Sequence, residues 1–124
     1  MSHPDFILLY VKNPVESAAF YTALLGRPPV EASPGFALFV LDSGLKLGLW
    51  SVQAVAPAAS LTGGGAELVF PVPDLAALQA RLQAWQALGV PVAQPITAMD
   101  FGHTFTALDP DGHRLRVYLP GAPS

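Results

Sequence analysis

The strongest constraint on the fold of this chain is an order of predicted elements that occurs twice. Each half of the sequence predicts a strand, a helix and then three strands, with a period of about sixty residues. The halves also match at positions that begin helices, end helices or form turns: Val11–Asn13 with Val72–Asp74, Gly26 with Gly89, and Gly44 with Gly112. This pattern predicts a tandem duplication, in which each half builds a sheet with one face that must be buried.

Apolar runs and helix caps mark the elements of the first half. Phe6–Val11 is a short apolar run typical of a buried strand, and Asn13 followed by Pro14 is typical of a helix start. Gly26 is expected to end that helix. Three strands are expected after it, at Val30–Ala32, Phe36–Leu41 and Leu45–Ser51.

The turn between the last two of these strands decides which side chains share a face. If Ser43 and Gly44 form a two-residue turn, Phe39 lies opposite Gly48. Phe39, Gly48 and Trp50 then share one face, and Trp50 stands beside the space that a glycine leaves. Such an arrangement is typical of a stacking site for a planar ligand, although a tryptophan there can also close the core at a strand end.

The second half repeats these signals after a linker at about residues 53–65, which is rich in Ala, Pro, Ser and Gly. The expected elements are a strand at Glu67–Val72, a helix from Asp74 to Gly89, and strands at Val90–Ala93, about His103–Leu108 and Arg114–Leu119. The length fits a single domain over residues 1–124, with module one at about 1–52 and module two at about 66–124.

Composition narrows the possible partners. The chain is 52% hydrophobic and 12% charged, so much apolar surface must be covered, which favours a homodimer. A net charge of -3 with six Lys and Arg residues does not provide the positively charged surface that nucleic-acid binding requires. The apolar run Phe6–Val11 is too short for a signal sequence or a membrane span, so no membrane partner and a soluble, cytoplasmic location are expected.

The residues that commonly carry catalysis form no recognisable constellation. The histidines, His3, His103 and His113, are scattered, and no Ser or Thr is placed with a base and an orienting acid. The absence of cysteine excludes disulfides and thiolate metal sites. No catalytic residue is therefore assigned.

Several short motifs carry a family resemblance: Val11–Asn13, Phe20–Tyr21, Leu24–Gly26, Phe70–Asp74, Phe101–His103 and Asp109–His113. In this order and spacing they resemble the vicinal oxygen chelate superfamily, which includes glyoxalase I, extradiol dioxygenases and bleomycin-resistance proteins. The resemblance implies an α+β fold, in which two tandem βαβββ modules form a curled mixed sheet around a cleft, usually as a dimer.

The resemblance also implies a divalent metal in the cleft, held at four positions that here are Phe6, Gly48, Glu67 and Arg116. A catalytic metal needs about three ligands from His, Asp or Glu, and only Glu67 qualifies. A guanidinium about 4 Å away opposes each unit of cation charge by roughly 4 kcal/mol at an effective dielectric near 20. No metal and no cofactor are therefore expected. Arg116 is expected either to pair with Glu67 or to reach solvent at an exposed edge.

The combination of lost metal ligands and aromatic residues resembles the drug-binding branch of the superfamily, the bleomycin-type and phenazine-type antibiotic resistance proteins. That resemblance implies metal-independent binding and sequestration of a small planar aromatic compound, with Trp50 stacking on it. Phe39, Phe6 and Tyr118 are expected to add walls, and Glu67 or Arg116 to satisfy its polar groups. Two alternatives stay open: a metal-dependent glyoxalase-like lyase, isomerase or dioxygenase, and a non-catalytic module with a vestigial cleft.

Overall fold

The structure, a computed structural model, describes residues 3–121. The ends of the domain predicted over 1–124, residues 1–2 and 122–124, lie outside this range. Contacts divide the chain into two compact units, Met1–Gly63 and Gly64–Ser124. Each unit contains a strand, a helix and three strands, so the prediction of two tandem modules in an α+β fold is confirmed.

Unit one and unit two use the same element order. The elements of unit one are β1 (Phe6–Val11), α1 (Pro14–Leu25), β2 (Glu31–Ala32), β3 (Phe36–Val40) and β4 (Lys46–Ser51). Those of unit two are β5 (Glu67–Pro71), α2 (Leu75–Ala87), β6 (Val92–Met99), β7 (Gly102–Leu108) and β8 (Arg114–Pro120).

Each unit forms its own four-stranded mixed sheet, in the orders β1-β4-β3-β2 and β5-β8-β7-β6. The first and last strands of each unit pair in parallel, and the remaining pairs are antiparallel. Strand β6 is longer than the predicted Val90–Ala93. It continues past Pro95 because it lies at the sheet edge, where a missing N–H and register shifts are tolerated.

The predicted caps determine where the helices begin. Asn13 Oδ1 accepts hydrogen bonds from the backbone N–H groups of Val15 (3.1 Å) and Glu16 (3.2 Å), and Pro14 occupies the first helical position. Asp74 Oδ1 accepts from the N–H of Ala77 at 2.7 Å. Gly26, with a φ of 70°, ends α1 in the left-handed conformation. The two N-caps satisfy backbone N–H groups of the first turn of each helix, and Gly26 ends α1.

The core of each unit lies between its helix and one face of its sheet. In unit one, Tyr21 of α1 packs edge-to-face on Phe39, with ring centroids 6.4 Å apart. In unit two, Trp85 of α2 lies between Phe70 and Phe105, with both centroid distances 5.5 Å. Fully burying one such large side chain contributes about 1.5–3 kcal/mol, so these clusters hold the helices in place.

The hairpin between β3 and β4 differs from its prediction by one residue. Leu41 donates its N–H to the carbonyl of Leu45 at 2.9 Å, which leaves a three-residue loop. Phe39 therefore pairs with Leu47 instead of Gly48, and a one-residue slip moves a side chain to the other face. Phe39 is fully buried on the helix side. Its predicted place beside Trp50, and its predicted ligand contact, are wrong.

The hairpin between β7 and β8 has a loop of the same length. Asp109 and His113 close it through a backbone hydrogen bond of 3.0 Å, and Gly112 has a φ of 82°. The buried Asp109 carboxylate accepts from the N–H groups of Asp111 (2.9 Å) and His113 (2.8 Å). Equal loop lengths give the two sheets the same strand register, so their positions can be compared one by one.

Candidate functional site

Each sheet has a face turned away from its helix, and we call these the unit-one face and the unit-two face. Strand pairing puts Leu8, Gly48 and Leu38 in one row of the unit-one face, and Val69, Arg116 and Thr106 in the corresponding row of the unit-two face. The row of Tyr10, Trp50 and Phe36 corresponds to that of Pro71, Tyr118 and Thr104, and Phe6 corresponds to Glu67.

The unit-one face is apolar apart from Lys46 at the start of β4, and Gly48 lies at its centre. A Cβ built on Gly48 would lie 2.7 Å from Leu8 Cδ2, 2.9 Å from Phe6 Cε1 and 3.2 Å from Phe36 Cε1. The space left by the glycine is therefore occupied by the ends of these side chains. The sequence predicted Trp50 beside an open gap, and the structure instead gives it a continuous apolar neighbourhood.

Trp50 lies on this face at the end of β4, where it is partly exposed. Its indole meets the Tyr10 ring edge-to-face, with centroids 6.4 Å apart and an interplanar angle of 76°. Phe36 is its cross-strand partner on β3. Phe6 and Leu8 remain 38% and 43% exposed, so the unit-one face presents aromatic and aliphatic surface to its surroundings.

The unit-two face carries a bidentate ion pair at its centre. Arg116 Nε donates to Glu67 Oε1 at 2.7 Å, and Nη2 donates to Oε2 at 2.9 Å. The side chains are 17% and 26% exposed, respectively. The predicted ion pair is confirmed, and the alternative in which Arg116 extends to solvent is wrong.

Neutral polar groups complete the arginine's surroundings. Arg116 Nη1 donates to Gln94 Oε1 at 3.1 Å and to Thr104 Oγ1 at 3.3 Å, and Thr106 Oγ1 donates to the same Gln94 oxygen at 3.2 Å. Sequence reasoning missed these three residues. The alternation of Thr with Phe105 and Ala107 along β7 was a usable signal for the threonines, whereas Gln94 lies between register shifts that remove any periodicity.

The pairing fixes the charge states of both groups. The Arg116 hydrogen bonds lower the pKa of Glu67 below its ordinary value, more than desolvation raises it. The same contact raises the pKa of Arg116. Arg114 adds a weaker attraction, with Nη1 3.9 Å from Glu67 Oε2 and a side chain that is 52% exposed. At neutral pH the pair is therefore a fully ionised, mutually neutralised unit.

An aromatic pair borders this ion pair. The Tyr118 and Phe101 rings meet edge-to-face at 6.3 Å, and Arg116 Cζ lies 6.0 Å from the Phe101 centroid. Phe101 is a partly exposed residue of the turn between β6 and β7. The unit-two face thus combines a satisfied charge pair with an accessible aromatic edge.

The residues at the four expected metal positions do not fit a divalent cation. In unit one the two positions are Phe6 and Gly48, which offer no side-chain ligand atom, and in unit two the Glu67 carboxylate is hydrogen-bonded to Arg116. Across residues 3–121, no group of three or more His, Cys, Asp or Glu side chains is placed to hold a metal ion. Over the same residues, no helix is long and apolar enough to cross a membrane.

Comparison with known families agrees with the architecture of both units. The sequence profile of the Glyoxalase/Bleomycin resistance protein/Dioxygenase superfamily matches residues 3–117. The chain belongs to this superfamily. The match covers both units, so each βαβββ module of the chain is part of the superfamily fold.

Three proteins illustrate what this superfamily member is similar to. The phenazine antibiotic resistance protein EhpR of Enterobacter agglomerans is 26% identical over 128 residues, which cover 92% of this chain and 89% of that protein. Protein ATC0852 from Agrobacterium tumefaciens, solved by solution NMR, is 56% identical, with a TM-score of 0.91 and coverage of 98% and 100%. A glyoxalase-related enzyme from Fulvimarina pelagi is 23% identical, with a TM-score of 0.84 and coverage of 96% and 88%, and this likeness concerns the fold alone.

Proposed function

We propose that this protein binds a small planar aromatic compound without a metal ion and sequesters it, as an antibiotic-binding resistance protein does. Superfamily membership and the similarity to a phenazine antibiotic resistance protein support a role of the resistance or glyoxalase type. The observation that carries the choice between them is the bidentate pair of Glu67 and Arg116 at two expected metal positions.

The ion pair favours binding over metal-assisted chemistry because of what a cation would have to displace. A divalent ion at Glu67 would break two charge-assisted hydrogen bonds, and the arginine would then stand unpaired beside the cation. Arg116 stays protonated at any pH at which proteins fold, so it has no way to relieve this repulsion. The nearby Gln94 and Thr104 hold the guanidinium in place through further hydrogen bonds.

The unit-one face supplies the surface for the ligand ring. Trp50 is its largest side chain, and Phe36 and Tyr10 are its neighbours in the same row. Partly exposed aromatic surface gains free energy when a flat apolar ring covers it, and offset or edge-on ring contacts add about 0.5–1.5 kcal/mol. A planar polycyclic compound fits this surface better than a polar or flexible one. Phe6 contributes one edge of the same surface.

The unit-two face offers groups of a different kind. Glu67 retains some exposure beside Arg116, so its carboxylate can accept a hydrogen bond from a ligand N–H or O–H group. Tyr118, with Phe101, adds an aromatic edge. That Glu67, Arg116 and Tyr118 bind a ligand stays a prediction.

Equilibrium dialysis against phenazine tests the proposal, because it does not depend on the tryptophan signal. We expect saturable binding with one site per chain and an affinity about tenfold or more weaker for Trp50→Phe. Intrinsic fluorescence of the wild type compared with Trp50→Phe gives a parallel readout, because the variant retains only Trp85, which is buried in the core of unit two. Absence of binding by phenazine and by other planar antibiotics would favour the vestigial module.

Metal analysis of protein purified without chelator separates the proposal from the enzyme alternative. We expect Ni, Zn, Fe and Mn well below one ion per chain, and stoichiometric metal would favour a glyoxalase-like enzyme. The homodimer stays a prediction, which sedimentation equilibrium of the 13.0 kDa chain checks directly.

A further inference from the structure

We propose that Gly48 determines which ligands the unit-one face accepts, because its missing side chain sets the positions of the residues around Trp50. This inference rests on the proposed function, since it concerns the same aromatic surface. It adds a positioning residue that has no atom of its own to offer to a ligand beyond its backbone. The ligand class it selects is a flat polycyclic ring system.

The geometry shows how closely the neighbours fill this position. The ends of Leu8 and Phe6 come closer to the place of a Cβ, at 2.7 and 2.9 Å, than real Cβ contacts allow. Phe36 follows at 3.2 Å, tighter than ordinary van der Waals contact. These three side chains converge over Gly48 from the two strands that flank β4, since β1 carries Leu8 and Phe6 and β3 carries Phe36. Even one methyl group at position 48 forces them apart.

The side chains that must move belong to the ligand surface, so the effect is expected on binding more than on folding. Leu8 and Phe6 are partly exposed, and the contacting atoms are side-chain ends that can rotate outward. Phe36 is the cross-strand partner of Trp50, so a shift of its ring changes the space next to the indole. Alanine at position 48 would therefore push the neighbouring side chains outward beside Trp50. A flat ring could then no longer contact the indole and these side chains together.

The corresponding position in unit two supports this reading of the glycine. Arg116 stands there, and its side chain covers the centre of the unit-two face by bonding to Glu67 and Gln94. The long side chain of Arg116 thus covers the centre of the unit-two face. At Gly48 no side chain projects, so the apolar neighbours can meet over this position and form a continuous surface.

The test compares Gly48→Ala with Gly65→Ala. A Cβ at Gly65 meets no atom within 4 Å, and its φ lies outside the left-handed range, so this variant is a matched control. With phenazine as the probe in equilibrium dialysis, we expect the Kd to rise about tenfold or more for Gly48→Ala and to stay within about twofold of wild type for Gly65→Ala. Adding Leu8→Ala to Gly48→Ala removes the closest clash and is expected to recover about threefold or more of the lost affinity, relative to Leu8→Ala alone.

A readout without ligand separates this inference from the proposed function. In the free protein, Gly48→Ala should shift the indole N–H resonance of Trp50 and leave that of Trp85 in place, because Phe36 moves beside Trp50 only. Equal Kd values for wild type and Gly48→Ala, with wild type binding phenazine, would overturn the inference and leave the proposed function standing. An unshifted Trp50 resonance would overturn it as well. If the wild type fails to bind any planar aromatic probe, the proposed function falls, and the inference about ligand selection falls with it.

Discussion

The unit-one and unit-two faces are built on the same strand ladder, yet their centres have opposite chemistry. Where unit one has Phe6 and Gly48, unit two has Glu67 and Arg116, and where unit one has Phe36, unit two has Thr104. One face is therefore covered by apolar side-chain ends and the other by a charge pair with neutral hydrogen-bond partners. The duplicated backbone therefore places the side chains of both faces at corresponding positions. Two or three of these side chains determine whether a face is apolar or charged at its centre.

The two centres also differ in how they are stabilised. Apolar contacts over Gly48 gain free energy with area and lose little when one side chain rotates. The unit-two centre depends on directional hydrogen bonds between Glu67 and Arg116. Removing one of these residues leaves the other charge unpaired in a partly buried environment. Exposed ion pairs are worth about 0–1 kcal/mol, but bidentate geometry and low exposure put this pair above that range.

Among the glycines of the two sheets, Gly102 at the start of β7 has the least space for a side chain. Its φ is +132°, and an added Cβ would lie 2.0 Å from the carbonyl oxygen of Leu119. We expect Gly102→Ala to lower the free energy of unfolding by about 3 kcal/mol or more, measured by urea denaturation. Gly35→Ala in unit one, where a Cβ meets nothing within 4 Å, is the matched substitution and should change it by about 0.5 kcal/mol or less. Similar losses for both variants would contradict the steric explanation.

Replacing Arg116 by methionine makes the centre of unit two more like that of unit one. We expect Arg116→Met to lower the free energy of unfolding by about 1–3 kcal/mol, because Glu67, Gln94 and Thr104 lose a charged donor. Arg114→Met is the control on the same strand, since Arg114 is more exposed and 3.9 Å from Glu67. It should cost less than half as much, and an equal cost would show that the bidentate geometry adds nothing.

Trp50 and Tyr118 occupy corresponding positions, so exchanging each for leucine compares the two faces in ligand binding. Trp50→Leu is expected to weaken phenazine binding about tenfold or more, which corresponds to roughly 1.4 kcal/mol. Tyr118→Leu should weaken it by about threefold or less. Equilibrium dialysis at matched temperature gives both values. A larger loss for Tyr118→Leu would move the main aromatic contact to the unit-two face.

Of the two face centres, only that of unit two contains a carboxylate, Glu67, whose protonation acidification can change. The pKa of Glu67 is lowered in the folded protein, chiefly by the hydrogen bonds from Arg116. The ion pair therefore contributes stability that is fully present above the ordinary carboxyl pKa of 4.5 and is lost as the pH falls through the lowered pKa. The stability difference between wild type and Glu67→Gln should therefore shrink as the pH falls from 7 to 3. Urea denaturation at several pH values measures it. A difference independent of pH would mean that Glu67 acts through packing alone.

Much of the fold could be predicted because it depends on local signals. Asn13, Gly26 and Asp74 act within one helical turn, so their residue types suffice to place helix ends. The β3–β4 register could not be predicted in the same way. Gly44 suits the last position of a two-residue or a three-residue loop, and the choice between them, which moves Phe39 to the other face, is made by pairing along the whole hairpin.

The candidate site was likewise predictable in some features and not in others. The Glu67–Arg116 pair was expected because the family resemblance puts both residues at metal positions, and the pairing of β5 with β8 brings them together. The contribution of Gln94 was not, because β6 has two register shifts around it. At Gly48, the sequence indicates a missing side chain but not which neighbours fill its place. That depends on rotamers of Phe6, Leu8 and Phe36, which no local pattern specifies.

We propose that the unit-one face binds the ligand while the unit-two centre stays closed by its own ion pair. A ¹H–¹⁵N NMR titration of the wild-type chain with phenazine tests it most directly, since each residue reports separately. We expect saturable shifts of the Trp50 indole N–H and of backbone amides in β1, β3 and β4, with the Trp85 indole unchanged. Shifts confined to the amides of β5–β8, or no shift at any phenazine concentration, would contradict it.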